Sequence, residues 1–260
     1  RTRTALFGDV APALGEGGRT IYTTFDLRLQ SRTEQILVEE LDRVSAIRAL
    51  AVVLDVRTGE ILSFAHVPRV DANERSADDP AHRIPWGLLE VFEPGSVMKV
   101  FPVAAALDRD LVAPSTSIDT HRGYLAIGDA AITDLKRMDH ASVTDVLRHS
   151  SNIGAYEIAK HLGQDALEAF LRKAGFGEKT GLPVPYEAAG ILRRPASGWD
   201  QIRFANVAFG QGMAVTAIQL TAAFAAFGND GLLMRPRPIK RIVTDSGEVL
   251  YSSKPETLRR

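Results

Sequence analysis

The chain has no cysteine, so disulfides and thiolate chemistry are excluded, while an extracytoplasmic home is neither required nor forbidden. It also has almost no net charge: 31 basic and 32 acidic residues give −1. No basic run stands out, so nucleic acid is not an expected partner. The six histidines fall in no metal-ligand spacing, and neither a metal nor another cofactor is expected. Long apolar runs are scarce. Phe204 to Asn229 has no charged residue and is long enough to cross a bilayer. But Asn206, Gln211, Thr216, Gln219 and Thr221 are spread through it, and Gly210-Gln211-Gly212 interrupts it. It reads as a strand or loop followed by a buried helix. Arg1 to Gly18 is polar and broken by Pro and Gly, which gives a linker rather than a signal peptide or membrane anchor.

What is present is ample apolar material. At 260 residues and 45% hydrophobic content the chain can bury a large core, as one large domain or two intimate ones. Thr20–Thr24 is a short β-rich run, and Asp26 can cap the helix that follows. There Leu29, Ile36, Leu37, Leu41 and Val44 recur at helical spacing, with Arg32, Glu34, Glu39 and Arg43 opposite. Leu50–Leu54 and Ile61–Ala65 flank a turn containing Gly59 and predict a hairpin from a well-buried sheet. Val67 to Pro85 is polar and broken, a loop. Asp108 to Asp139 has no clear period and reads as irregular connections with short strands. Ser142 caps a helix over 143–148; further helices run to about Leu162 and from Asp165 to Ala174, stopped by Gly163 and Gly175. Thr216 caps the last, 217–227, and short strands follow at 232–234, 239–244 and 249–251. The plan is α+β: sheet, helical middle, sheet, with the two ends of the chain paired.

Chemistry is concentrated at Glu93-Pro94-Gly95-Ser96-Val97-Met98-Lys99. Pro94 and Gly95 mark a sharp loop, and the apolar run Val97–Leu107 predicts a buried helix with Ser96 in its first turn. Residues three apart share a helix face, so Ser96 and Lys99 are neighbours. A serine needs a base to become a good nucleophile. A lysine among Met98, Val100 and Phe101 has its charged form disfavoured and can serve as that base. A helix N-terminus adds N–H groups for an oxyanion. A surface Ser and Lys on an ordinary helix would show the same spacing. Ser150-Ser151-Asn152 supplies the second polar cluster; there Ser150 also reads as the cap of the next helix and Asn152 as a helix-start residue, roles compatible with chemistry.

Ser96-x-x-Lys99 followed by Ser150-x-Asn152 resembles the first two active-site motifs of penicillin-binding proteins and serine β-lactamases. The flanks resemble the transpeptidase domain of class B penicillin-binding proteins: Tyr22-Thr23-Thr24-Phe25-Asp26-Leu27-x-Leu29-Gln30, Ala51–Ala65, Gly175-Phe176-Gly177, Thr180-Gly181-Leu182 and Gly210-Gln211-Gly212 with Thr216 and Gln219-Leu220. Ser-Ser-Asn-x-Gly and Gly-Gln-Gly look more like the division-type branch than the elongation-type one. The resemblance implies an antiparallel sheet packed by helices, with a helical subdomain in the middle of the chain. It implies a peptidoglycan D,D-transpeptidase that forms a serine acyl-enzyme on D-Ala-D-Ala stem peptides and is acylated by β-lactams. By resemblance Ser96 is acylated, Lys99 takes its proton, Ser150 relays it to the leaving amine, and Asn152 holds a substrate amide and orients Lys99. Also implied are action at the periplasmic face of the cytoplasmic membrane and a membrane glycosyltransferase and division proteins as partners.

Two departures stand out. Ile84-Pro85-Trp86 replaces the polar Asn-Arg run often found before the serine. No Lys-Thr-Gly, the family's third motif, follows Gly212; the only one is Lys179-Thr180-Gly181, amid Gly175, Gly177, Pro183 and Pro185, a turn composition. Residues 1–19 are therefore expected to be a linker or the remainder of a preceding domain, and 20–260 a transpeptidase domain lacking its C-terminal strands and catalytically incomplete. Two alternatives share the fold. A penicillin-binding sensor would more often carry an apolar third residue in the second motif. A β-lactamase needs a deacylating carboxylate, which cannot be assigned among Asp165, Glu168 and Glu187.

Overall fold

The computed structural model describes residues 19–68, 86–183 and 187–260. Residues 1–18 of the expected linker, the expected loop beyond Pro68, and the Ile84-Pro85 part of the departure lie outside them. The first elements are β1 (Arg19–Thr23), α1 (Leu27–Val44), β2 (Ala49–Leu54), β3 (Ile61–Val67) and α2 (Trp86–Leu89). Then come α3 (Val100–Asp108), β4 (Ser117–Asp119), β5 (Tyr124–Ile127), β6 (Ala130–Thr133), β7 (His140–Ser142) and α4 (Val143–Arg148). They are followed by α5 (Asn152–Leu162), α6 (Gln164–Lys173), α7 (Gln201–Ala208) and α8 (Ala217–Phe227). Four strands close the order: β8 (Leu233–Met234), β9 (Ile239–Thr244), β10 (Val249–Ser252) and β11 (Thr257–Arg259). The described residues divide into two compact units, those within Arg1–Val91, Glu178–Ala189 and Thr216–Arg260, and those within Phe92–Gly177 and Gly190–Val215.

In the first unit the chain ends do pair: β1 runs antiparallel to β9, which also pairs with β10. The β2–β3 hairpin forms as its composition requires. Its two strands are not equally buried, however. Alternate residues of β3 are buried (Ile61, Ser63, Ala65, Val67), while all six of β2 are only half-buried. Two polar side chains bind this sheet to its surroundings. Thr24 Oγ1, buried, donates to Ile61 O (2.6 Å) and Arg237 O (3.1 Å). Gln30 on α1 accepts from Ser63 Oγ and Phe64 N (2.9 Å each) and donates to Phe64 O (3.2 Å), so its amide pairs with β3 as another strand would. Asp26 caps α1, accepting from Arg28 N and Leu29 N. The face of α1 turned inward includes Leu29, Leu37 and Leu41, whereas Ile36 and Val44, expected there, are exposed. Strand β11 was not legible. Leu258 is the one apolar residue of Thr257–Arg259, so no alternation marks its pairing with β8.

The second unit is the helical middle. Helices α3, α4 and α5 share an apolar core of Val103, Ala106, Val143, Val146, Ala155 and Ile158. Phe176 packs edge-to-face on Phe101 of α3 at 5.0 Å between ring centroids. Such a pair is worth about 0.5–1.5 kcal/mol beyond its buried area, and it anchors the helix that follows Ser96. The stretch from Phe204, expected to begin as a strand or loop, begins inside α7. Asp200 caps this helix through Arg203 N (2.8 Å). Its core residues Phe204, Val207 and Ala208 have helical spacing, but a window starting after Arg203 cuts the helix in half.

Candidate active site

Four backbone and side-chain hydrogen bonds shape the loop before Ser96. Phe92 and Val215 exchange both N–H···O bonds (3.0 and 2.9 Å), Gly95 N–H donates to Gly210 O (2.9 Å), and Gly212 N–H donates to Glu93 Oε1 (2.8 Å). Gly210 has φ +83°, and a Cβ there would lie 2.0 Å from Gly95 O. Only glycine allows that approach. The Gly-Gln-Gly turn is thus the backstop of the loop carrying Ser96.

Ser96 sits in a 3₁₀ turn, Gly95–Lys99, and the α-helix starts only at Val100. This corrects the expectation that Ser96 lies in the first α-turn, yet the i,i+3 pair still meets. Residues three apart eclipse in a 3₁₀ turn. Ser96 is exposed, while Lys99, 2% exposed, is the largest fully buried side chain described. Lys99 Nζ lies 3.0 Å from Ser96 Oγ, 2.8 Å from Ser150 Oγ and 2.6 Å from Ser150 O. Burial pushes the Lys99 ammonium down to about 8 from its ordinary 10.5, and the Asp134 carboxylate holds it partly up.

Ser150 follows α4 in the left-handed conformation, φ +55°. Its N–H reaches Leu147 O and that of Ser151 reaches Val146 O, closing the helix end. A non-glycine residue held there costs about 1–3 kcal/mol. In that conformation one residue offers Lys99 both a carbonyl and a hydroxyl. Ser150 does not cap the next helix: Ser151 caps α5, with Oγ accepting from Gly154 N (2.8 Å). Asn152 was also expected to orient Lys99; its side-chain nitrogen donates to Thr133 O (2.9 Å), and the oxygen partners of Lys99 Nζ are those of Ser96 and Ser150. Asp134 was missed. Its carboxylate accepts from Ser151 Oγ (2.5 Å), Asn152 N (2.6 Å) and Ile153 N (3.1 Å). Nothing local announces that the end of a hairpin will meet a helix start 18 residues later.

The second lysine motif has different surroundings. Lys179-Thr180-Gly181 forms no strand. The Glu187 carboxylate takes Thr180 N (2.8 Å), Thr180 Oγ1 (2.5 Å) and Gly181 N (3.1 Å). Asp165 and Glu168 are also engaged, both with Arg194, and Glu168 with Arg172.

Residues 49–259 match the family description "Penicillin binding protein transpeptidase domain". The chain is 31% identical to the penicillin-binding protein PbpB of Mycolicibacterium smegmatis, over 93% of this chain and 38% of that protein. It is 32% identical to the probable peptidoglycan D,D-transpeptidase PbpC of Pseudomonas aeruginosa, over 84% of this chain and 39% of that one. It thus spans under two fifths of the length of these curated relatives. Among solved structures, penicillin-binding protein 3 of Mycobacterium tuberculosis complexed with aztreonam superposes with a TM-score of 0.82 at 29% identity, over 93% of this chain and 54% of that one. With most of its length covered by one family description, and a buried lysine joining its two serine motifs, the chain belongs to the transpeptidase domain family of the class B penicillin-binding proteins.

Proposed function

We propose that the protein is a peptidoglycan D,D-transpeptidase that cross-links stem peptides through an acyl-enzyme on Ser96, and that β-lactams acylate the same hydroxyl. The observation that carries this reading is the position of Lys99 Nζ, buried and within 3.0 Å of both Ser96 Oγ and Ser150 Oγ. An ammonium has three donors for its three oxygen partners. A neutral amine has two donors and one lone pair. Ser150 O can only accept, so it keeps one donor, and the lone pair is left for a hydroxyl proton. With Ser150 Oγ accepting the second donor, that proton is the one on Ser96. The deprotonated oxygen attacks the D-Ala carbonyl, an O–C bond forms, and the C–N bond to the terminal D-Ala breaks. Lys99 returns the proton through Ser150 Oγ to the departing amine. An acceptor amine then attacks the acyl carbon and gives up a proton through Ser150 Oγ to Lys99; a C–N bond forms, the C–O bond to Ser96 breaks, and Lys99 returns the proton to Ser96 Oγ. In a β-lactam the C–N bond also breaks, but the amine stays tethered to the acyl group.

The substrate places the reaction at the extracytoplasmic face of the bacterial cytoplasmic membrane, where a glycosyltransferase and division proteins are the natural partners. No helix among the described residues is long and apolar enough to cross a membrane. Asn152 is assigned to a substrate amide, with Thr133 O holding its side chain. Persistent rather than hydrolysed adducts are favoured, because Asp165, Glu168 and Glu187 are each committed to partners of their own. The test is covalent labelling of the full-length parent protein by a fluorescent penicillin. Ser96→Ala is expected to abolish it with the fold intact, and labelling of the alanine variant at the wild-type rate would move the nucleophile elsewhere.

A further inference from the structure

We propose that Asp134 is a positioning residue of this site: its carboxylate ties Ser151, Asn152 and Ile153 into the turn that presents Ser150 to Lys99. The inference rests on the transpeptidase reading above. Asp134 directly follows β6, and its own N–H donates to Gly123 O (3.1 Å) at the open end of the β5–β6 hairpin. Ile132, two residues before it, is buried at 3% exposure, which seats the hairpin in the core of the unit. From that fixed point the carboxylate takes two backbone N–H groups at the start of α5, which have no intrahelical partner, and one hydroxyl. Thr133 O adds the Asn152 side chain. Four consecutive residues, 150 to 153, are thereby held from Lys99 on one side and from the hairpin on the other.

Two consequences follow, one geometric and one electrostatic. The left-handed Ser150 is strained and keeps its conformation only while neighbouring residues are held. Releasing 151–153 lets residue 150 relax, and its hydroxyl leaves the 2.8 Å contact with Lys99. The second consequence comes from charge. The Asp134 carboxylate acts on Lys99 through its charge and favours the ammonium. Several other charges on the surrounding elements have partners of their own. Glu93 accepts from Gly212 N, Asp145 and His149 pair on α4, Glu157 pairs with Lys160 and His121, and Asp165 and Glu168 pair with Arg194. His161 on α5 bonds Glu157 O.

The experiment measures penicillin acylation against pH for the wild type, Asp134→Asn and Asp134→Ala, with Lys99 titrated independently by NMR of isotope-labelled lysine. Asparagine keeps an oxygen for the two N–H groups and removes the charge. Its Lys99 midpoint and its acylation midpoint should both move to lower pH, with a high-pH plateau within a few-fold of wild type. Alanine removes the hydrogen bonds as well, and its plateau should fall by about 10²-fold, the usual result of a displacement near 1 Å. An unchanged Lys99 midpoint in the asparagine variant, or a wild-type plateau in the alanine variant, overturns the proposal. A wild type that titrates at Lys99 but is never labelled at Ser96 sinks the transpeptidase reading instead, and the NMR midpoints still decide the role of Asp134. If the alanine variant melts before measurement, the asparagine variant alone carries the decision.

Discussion

Two turns of this protein combine a lysine with a β-hydroxyl residue, and their burial is reversed. At Ser96–Lys99 the hydroxyl is exposed and the amine is buried at 2% exposure. At Lys179–Thr180 the lysine is exposed and the hydroxyl buried at 8%. In the first turn desolvation lowers the lysine to about 8, so roughly a tenth of it is neutral at pH 7. In the second the hydroxyl spends its proton on Glu187, and the two neighbouring N–H groups do the same. Residue types alone would make both turns candidates for chemistry. What separates them is which partner loses its water: a buried amine becomes a base, whereas a buried hydroxyl must be satisfied inside the protein.

The strongest way to break this contrast is Lys99→Met, which keeps an unbranched apolar stem one atom shorter and removes the amine. Acylation by a fluorescent penicillin should fall by about 10²–10⁴-fold, the usual contribution of a general base. In the wild type the rate should rise with pH through about 8, because the neutral amine is the active form. Stability should move the same way with pH. The Lys99 proton is bound less tightly in the folded state, so the wild type gains stability as pH rises from about 8 towards 10.5. Thermal melting should therefore find the methionine variant more stable than wild type below pH 8, with the advantage shrinking above it. A methionine variant that labels at the wild-type rate would remove the distinction between the two turns.

Next in size is Gly210→Ala. The added Cβ would stand 2.0 Å from Gly95 O at a φ of +83°, and backbone cannot yield cheaply. A loss of about 2–4 kcal/mol is expected in chemical denaturation. Penicillin labelling should fall further than the folded fraction, since the displaced atoms belong to the loop that carries Ser96. An alanine variant as stable as the parent would show that the Gly-Gln-Gly backstop does not set the position of Ser96.

How far these features could be read in the sequence depends on the range over which each is determined. The caps Asp26, Ser142 and Thr216 were legible, because a side chain and the N–H groups it accepts lie within three residues. So was the Ser96–Lys99 pair, whose meeting follows from one turn of any helix. The β2–β3 hairpin was legible too, from two apolar runs flanking a tight turn. Asp134 was not, since its three donors belong to a helix 18 residues away. The same applies to the contact of Asn152 with Thr133 O, and to Gly210, whose need for glycine arises from Gly95, more than a hundred residues earlier. Helix α7 failed for a different reason, a window boundary placed at Arg203 on compositional grounds.

The smaller effects sharpen the contrast from the side of the second turn. Thr180→Val keeps the shape of the side chain and leaves a buried carboxylate one donor short, which should cost about 1–3 kcal/mol of stability. Its pH profile for acylation should match the wild type, because Thr180 reacts with nothing. Lys179→Ala should do least of all. The side chain is exposed, and exposed substitutions away from special features stay within about 0.5 kcal/mol. If this lysine were the cation of a working Lys-Thr-Gly motif, its removal would weaken recognition of the substrate carboxylate and slow acylation by penicillins that carry one. If it is the exposed flank of a turn fastened by Glu187, the labelling rate stays within a factor of two at every pH. Parallel measurement of Lys179→Ala and Lys99→Met separates the two: loss in both would make the turns equivalent in chemistry, and loss in Lys99→Met alone leaves burial as the property that distinguishes them.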